Sequence, residues 1–373
     1  MTYKIFDIDA LRNICDQCKN LSHSALSKAK PVVIFGTGSF GKDLFQILTS
    51  SEFKVSAFVE SNPSAQFIHG IPVYKLNNTP EVLLGAQVVI GIFNRSTPYK
   101  HIHNLLVTHG FKDFFFPWHL YEQFSAELAW RYWLSKPIIF SDNQISIEDA
   151  FSNLADEESK ETFLRIIKFR AGQDLEFSEF QSHQQQYFND ITLRSLPKNG
   201  LTFVDCGAYN GDTLSELCSK HRIKFAYLFE PDPKNFKNLV SKVSALGISA
   251  TCLPLAVSDK YEVLSFSGDI GESGSLSMNG GLSVAAAALD DLLKFQKIDF
   301  LKFDVEGGEF KAIQGSEGLI RQYNPVLAIS LYHKPSDLWD IPLLIKKISM
   351  NYKLYIRQHW NNSFDSVLYA IPI

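Results

Sequence analysis

Two short apolar runs, each leading into a glycine-rich turn and a helical pattern, predict an α/β protein. A glycine-poor stretch of helical periodicity lies between them, and two strand-like segments close the chain. The expected architecture is therefore two Rossmann-like domains joined by a helical connector, with boundaries at 1–135, 136–198 and 199–373. At 373 residues, 45% of them hydrophobic, the chain is too long for one ordinary domain and can fill two cores.

In the first half, Val32-Val33-Ile34-Phe35 runs into Gly36-Thr37-Gly38-Ser39-Phe40-Gly41 and then a helix from Lys42. Further strands are expected over Val55–Val59, ending at Glu60, and over Ala86–Phe93. From about 140 to 195, Phe163, Ile166, Ile167 and Phe169 recur among charges at helical spacing. Pro197-Lys198-Asn199-Gly200 then breaks that pattern and opens the second α/β unit. Its strands are expected over Leu201–Asp205, Phe225–Phe229, Ala250–Val257, Val263–Ser267, Phe300–Asp304 and Val326–Leu331. Helices are expected over Asp212–His221, Asn235–Leu246 and Glu309–Arg321. Lys353–Arg357 and Ser366–Ile371 are separated by a stretch too short for a helical crossover, so they form an antiparallel hairpin.

The net charge of −4, without a basic block, argues against a nucleic-acid partner or an anionic membrane surface. No apolar run approaches the roughly 20 residues that span a bilayer, and MTYKIFDIDA lacks the order of a signal peptide. The five cysteines form a sparse, odd set suited to reduced thiols, and Cys15 and Cys18 lack partners for a zinc site. The expectation is a soluble, cytoplasmic protein acting on a small molecule or glycan, with no integral membrane contact; homo-oligomerisation is left open.

The two glycine turns differ in charge. The second reads Asp205-Cys206-Gly207-Ala208-Tyr209-Asn210-Gly211-Asp212, and Asp205 would repel a diphosphate. The same carboxylate suits a ligand carrying an ammonium and a sulfonium, which points to S-adenosylmethionine. Gly207 and Gly211 would admit the methionine portion, and Glu230, at the end of the second strand, could accept both ribose hydroxyls. A parallel sheet closed by an antiparallel strand is also the class I methyltransferase layout.

Residues from about 150 to 373 resemble the FkbM family of methyltransferases through FVDCGAYNGDT, YLFEPDP, AVSD, ALDDLL, IDFLKFDVEGGEF and LAISLYHKPSDLW. Asp156-Glu157-Glu158-Ser159 and Gln186-Tyr187-Phe188 resemble segments that precede the core in longer members. One departure is Ala287-Ala288-Leu289-Asp290-Asp291, where the family usually has Thr before Leu-Asp; the change removes either a hydroxyl contact or a cap. The resemblance implies O-methylation, commonly of a sugar or polyketide hydroxyl, and a place in polysaccharide biosynthesis. It extends the cofactor contacts to Ala208, Asp212, Thr213, Asp232, Ala256, Val257 and Asp304, and the substrate contacts to Tyr332 and Lys334.

Methyl transfer to an alcohol needs a group to take the hydroxyl proton. His333, after a strand end, is the first choice of base. Asp304 and Glu306 stand two residues apart and could hold a divalent cation such as magnesium or raise each other's pKa. Trp339 could stack on a sugar ring, and Arg357 and His359 are weaker substrate contacts.

The first glycine turn carries no carboxylate before Lys42, so a diphosphate could rest on it, with Glu60 on a ribose. NAD binding with oxidoreductase or epimerase-like activity, nucleotide-sugar binding, and a purely packing role are the alternatives there. A decayed, non-enzymatic sensor or scaffold is a further alternative for the whole chain.

Overall fold

The computed structural model describes residues 7–176, 180–267, 275–276 and 282–373. The opening hexapeptide, on which the expectation of no leader partly rests, and residues 177–179 of the expected connector lie outside the described residues. Two compact units result: Met1–Gln144 with Phe163–Gln181 and Trp360–Phe364, and Ile145–Thr162 with Ser182–His359 and Asp365–Ile373. The stretch read as a connector is thus shared between them. Among the described residues no helix is long and apolar enough to cross a membrane.

In the first unit, β1 (Val32–Phe35), β2 (Val55–Glu60), β3 (Phe67–Ile68), β4 (Ile71–Lys75), β5 (Gln87–Ile90) and β6 (Asp113–Phe115) pair in the order β3-β4-β2-β1-β5-β6. All neighbours are parallel except the β3–β4 hairpin. Helix Ser39–Ser50 places Phe40, Leu44 and Leu48 on one buried stripe four residues apart, against Val32, Ile34, Phe58 and Val89. β5 is shorter than the expected Ala86–Phe93, because pairing with β1 ends at Ile90.

In the second unit, β7 (Leu201–Cys206), β8 (Ile223–Phe229), β9 (Ala250–Leu253), β10 (Ala256–Val257), β11 (Glu262–Ser267), β12 (Ser275–Leu276), β13 (Leu282–Ala287), β14 (Phe300–Phe303), β15 (Val326–Ser330), β16 (Tyr352–Gln358) and β17 (Ser366–Pro372) form two sheets. The larger runs β16-β17-β15-β14-β7-β8-β9. Its five strands from β15 to β9 are parallel, and β17 inserts antiparallel between β15 and β16, as the short final connection requires. The core lies where Phe203, Leu228, Phe300 and Ala328 of the sheet meet Leu214, Leu217 and Leu239 of the covering helices.

Three local expectations are corrected. Ala250–Val257 is two strands in two sheets, because Pro254 lacks an N–H to continue the ladder. Glu309–Arg321 is two helices, Glu309–Gln314 and Glu317–Tyr323. They break at Gly315, where a Cβ would lie 2.0 Å from the Ser258 carbonyl oxygen. β13 went unread in a run of alanines, which have little intrinsic preference for strands.

Candidate active site

The expected site residues gather at the carboxyl ends of β7, β8, β14 and β15, and their foundation is an ion pair. Register places Lys302 of β14 beside Asp205 of β7. The Lys302 ammonium donates to Asp205 Oδ1 and to the Gly207 carbonyl, each at 2.9 Å, and stands 5.1 Å from the Tyr187 ring centre. Asp205 is 0% exposed and Lys302 2%. Burial lifts Asp205 to about 6 against the pull of Lys302, while Asp205 and Asp304 keep Lys302 above its ordinary value despite its burial. Asp205 Oδ1 is thus engaged by Lys302, which also fixes the loop through Gly207, while Oδ2 has no hydrogen-bond partner among the described residues.

That loop is sewn to β8 by the Gly207 and Ala208 amides, which both donate to the Phe229 carbonyl at 3.0 and 2.9 Å. Gly207 has φ +86, and a Cβ there would lie 1.9 Å from the Asp304 carbonyl oxygen, so only glycine lets the two strand exits come together. Glu230, 6% exposed, follows β8. Its two oxygens accept the amides of Tyr209 and Asp232, each at 2.8 Å, which fix the carboxylate while leaving lone pairs for a diol. Burial outweighs these hydrogen bonds and raises Glu230 to about 7. Asp232 itself caps helix Pro233–Leu246 through the Lys234 and Asn235 amides.

The second part of the site is a carboxylate and imidazole cluster. His333 follows β15 and is 0% exposed. Its Nδ1 lies 2.9 Å from Glu309 Oε1, and its Nε2 lies 3.4 Å from Glu306 Oε2 and 3.7 Å from Asp304 Oδ1. Glu309 also accepts the amides of Val305 and Gly307 at 2.8 and 3.1 Å, pinning the turn in which Glu306 and Gly307 have φ 52° and 95°. Asp304 accepts the Tyr187 hydroxyl at 2.9 Å.

Burial pushes His333 down, but Glu309, Glu306 and Asp304 overcome it and lift it to about 10. Burial raises Glu306 to about 8 against the pull of His333. Asp304 is held below the ordinary carboxylate range: burial opposes this, but Lys302 and His333 prevail. The three carboxylates around His333 thus favour its protonated form. Asp304, Glu309 and His333 offer ligand atoms within 4.8 Å of one another.

Other expected residues separate in space or in role. Trp339 is 1% exposed within helix Asp337–Ile348, so it packs the core and is no sugar platform. Arg357 is held by Asp156 at 2.6 Å, Ser159 at 2.8 Å and Glu158 at 3.0 Å. That network accounts for the Asp156–Ser159 segment and removes Arg357 from substrate contact. His359 shares a 2.6 Å hydrogen bond with the Tyr369 hydroxyl and is lowered by burial to about 4, so it stays neutral. Tyr332 is buried with its hydroxyl 3.5 Å from Asp304 Oδ1, and Lys334 is exposed. Ala208 and Thr213 are buried and Asp212 is exposed at the start of helix Asp212–Lys220. Ala256 and Val257 form β10 of the small sheet. Ala288 takes the N-cap position of helix Leu289–Leu292.

Lys302, Tyr187 and Glu309 carry the site and were not singled out as its members from the sequence. The signal for Lys302 was present: a lysine within Phe300-Leu301-Lys302-Phe303, a strand buried at every position, needs a partner.

Residues 205–365 match the family model described as the Methyltransferase FkbM domain. The chain is similar to the crystal structure of Methyltransferase FkbM from Methylobacillus flagellatus KT, with a TM-score of 0.77 and 19% identity over 97% of this chain and 98% of that one. An rRNA methylase from Streptococcus thermophilus aligns with a TM-score of 0.33 and 15% identity over 49% of this chain and 93% of that one. No curated protein matches the chain.

Proposed function

We propose that the carboxy-terminal part of this chain, whose residues 205–365 match the model of the Methyltransferase FkbM domain, transfers a methyl group from S-adenosylmethionine to a hydroxyl of a sugar or glycan. The observation that carries the reading is the division of labour between the strand ends. Glu230, fixed by two backbone amides, stands ready for a ribose diol, and the cluster of Asp304, Glu306 and His333 stands ready for proton chemistry.

Bound to the chain, S-adenosylmethionine supplies a sulfonium methyl, which passes to the acceptor oxygen as the carbon–sulfur bond breaks and S-adenosylhomocysteine leaves. The chain's own residues do the rest. Lys302 and Gly207 hold the cofactor loop in register with Asp304. Asp304, kept ionised, orients the acceptor hydroxyl, and Glu306 takes its proton. The raised pKa of Glu306 makes it a stronger base than an ordinary carboxylate. His333 stays protonated and stabilises the charge on both acids, which makes it a positioning residue.

Calorimetric titration with S-adenosylhomocysteine, with and without magnesium, tests the cofactor assignment. Binding that is independent of magnesium and weakened by Glu230→Ala supports it; absence of binding refutes it. Transfer of a labelled methyl group to sugar hydroxyls then tests the acceptor class.

A further inference from the structure

The first unit contains a crevice of its own, of about 460 Å³, at the carboxyl ends of β1, β2 and β5. Gly36, Thr37, Gly38, Glu60, Phe93 and Asn94 are among the residues lining it. It opens where β1 is flanked by β2 on one side and β5 on the other, the switch point at which doubly wound sheets leave room for a ligand.

The glycines show how the room is made. A Cβ on Gly41 would lie 2.3 Å from the Gly36 carbonyl oxygen, and one on Gly91 would lie 2.9 Å from the Gly41 Cα, so helix Ser39–Ser50 is drawn tightly against the loop and β5. A Cβ on Gly38 would meet nothing within 4 Å. Tight packing on one side thus leaves an open backbone surface on the other, at the amino end of a 12-residue helix whose first amides lack partners within the helix. Among the described residues Glu60 is the one acid lining the crevice. Asp43, the next along the helix, is paired with Arg131 at 2.7 Å. Glu60 accepts the Thr37 hydroxyl at 2.6 Å, which fixes the carboxylate while using one of its roughly four lone-pair positions.

We propose that this crevice binds a nucleoside diphosphate, with the ribose diol on Glu60 and the diphosphate over Gly38 on the amides that open helix Ser39–Ser50. Two chemistries meet there in the right order: an acceptor pair for a diol at the end of β2, and an uncharged, donor-rich turn after β1. The second unit's turn differs in charge, because Asp212 places an exposed carboxylate at the start of helix Asp212–Lys220.

Calorimetry on the full chain with ADP, UDP and inorganic pyrophosphate tests the proposal. ADP or UDP should bind, and Glu60→Ala should weaken either by about 10–100-fold, the worth of hydrogen bonds to a charged group, while pyrophosphate is unaffected. Gly38→Asp should abolish binding of all three by placing a negative charge under the diphosphate. Asp is a favoured N-cap, so this variant should melt no lower than the parent. Tighter binding of NADH than of ADP identifies a dinucleotide as the source, and tighter binding of a UDP-sugar than of UDP identifies a nucleotide sugar. If neither ADP nor UDP binds at millimolar concentration, or if both variants bind them as the parent does, the proposal is wrong.

Discussion

Replacing Gly207 by alanine probes the contact on which the candidate active site rests. Two costs arise. An L-residue held at φ +86 loses about 1–2 kcal/mol relative to glycine. The new Cβ would lie 1.9 Å from the Asp304 carbonyl oxygen, against a floor of 3.0 Å for real Cβ contacts, so about 1.1 Å must open between the exits of β7 and β14. The obstacle is backbone and has no rotamer to escape into, so overpacking of about 1–3 kcal/mol follows. Together these amount to roughly 2–5 kcal/mol, or about 4–20 °C in melting temperature for a unit of roughly 150–250 residues. Differential scanning calorimetry reads this directly, with Gly38→Ser as the control, because Gly38 has φ −67 and an open Cβ direction. Methyl transfer should fall as well, since Asp304 moves with the loop. A Gly207→Ala protein melting within about 2 °C of the parent would mean that the two strand exits are not pressed together, and the reasoning would fail.

Lys302→Met should destabilise the second unit by about 3–5 kcal/mol, because it strands the buried Asp205. The loss should be smaller at pH 5 than at pH 8: without Lys302 the raised pKa of Asp205 rises further, so the folded state binds a proton the unfolded chain has released, and stability drops as pH climbs; a pH-independent loss would contradict the pairing. Glu306→Gln should lower kcat by about 100-fold to 10,000-fold with cofactor affinity unchanged. In the parent, kcat should rise through about pH 8 as Glu306 ionises and decline toward about pH 10 as His333 loses its proton; a rising limb that survives in Glu306→Gln would assign the base elsewhere. Nitrogen NMR of histidine-labelled protein should show one imidazolium still protonated at pH 8, with its stabilising contribution complete below its unfolded pKa and lost as pH rises toward about 10. A neutral tautomer of His333 at pH 7 would overturn its positioning role.

Much of the scaffold was legible because it rests on local patterns. Strands β1, β2, β7, β8 and β14 are short apolar runs that end at glycine or an acid, β15 is an apolar run opened by Pro325, and the final hairpin follows from a connection too short to cross over. What escaped depends on register and depth. Nothing local says that Asp205 faces Lys302, 97 residues later and one strand over, and without that partner a lone carboxylate after a strand reads as a ligand contact. The same holds for His333, which looks like a neutral base until three carboxylates from the Asp304–Glu309 turn close around it. Trp339 and Arg357 were misassigned for the converse reason: large or charged side chains on one helix and one strand are drawn inward by partners that only the tertiary structure supplies.

The Asp205 and Lys302 pair also constrains how this protein can change. Either residue replaced alone leaves an uncompensated charge in the centre of the sheet, whereas an apolar pair of similar volume, Asp205→Leu with Lys302→Met, removes both charges at once. The double variant should be more stable than either single one, with a coupling of roughly 0.5–3 kcal/mol in a double-mutant cycle. Viable sequences are then split into two islands, one ionic and one apolar, with a valley between them that single substitutions do not cross. Only the ionic island retains the ammonium that fixes the Gly207 carbonyl, so drift to the other side would preserve the fold and surrender the loop.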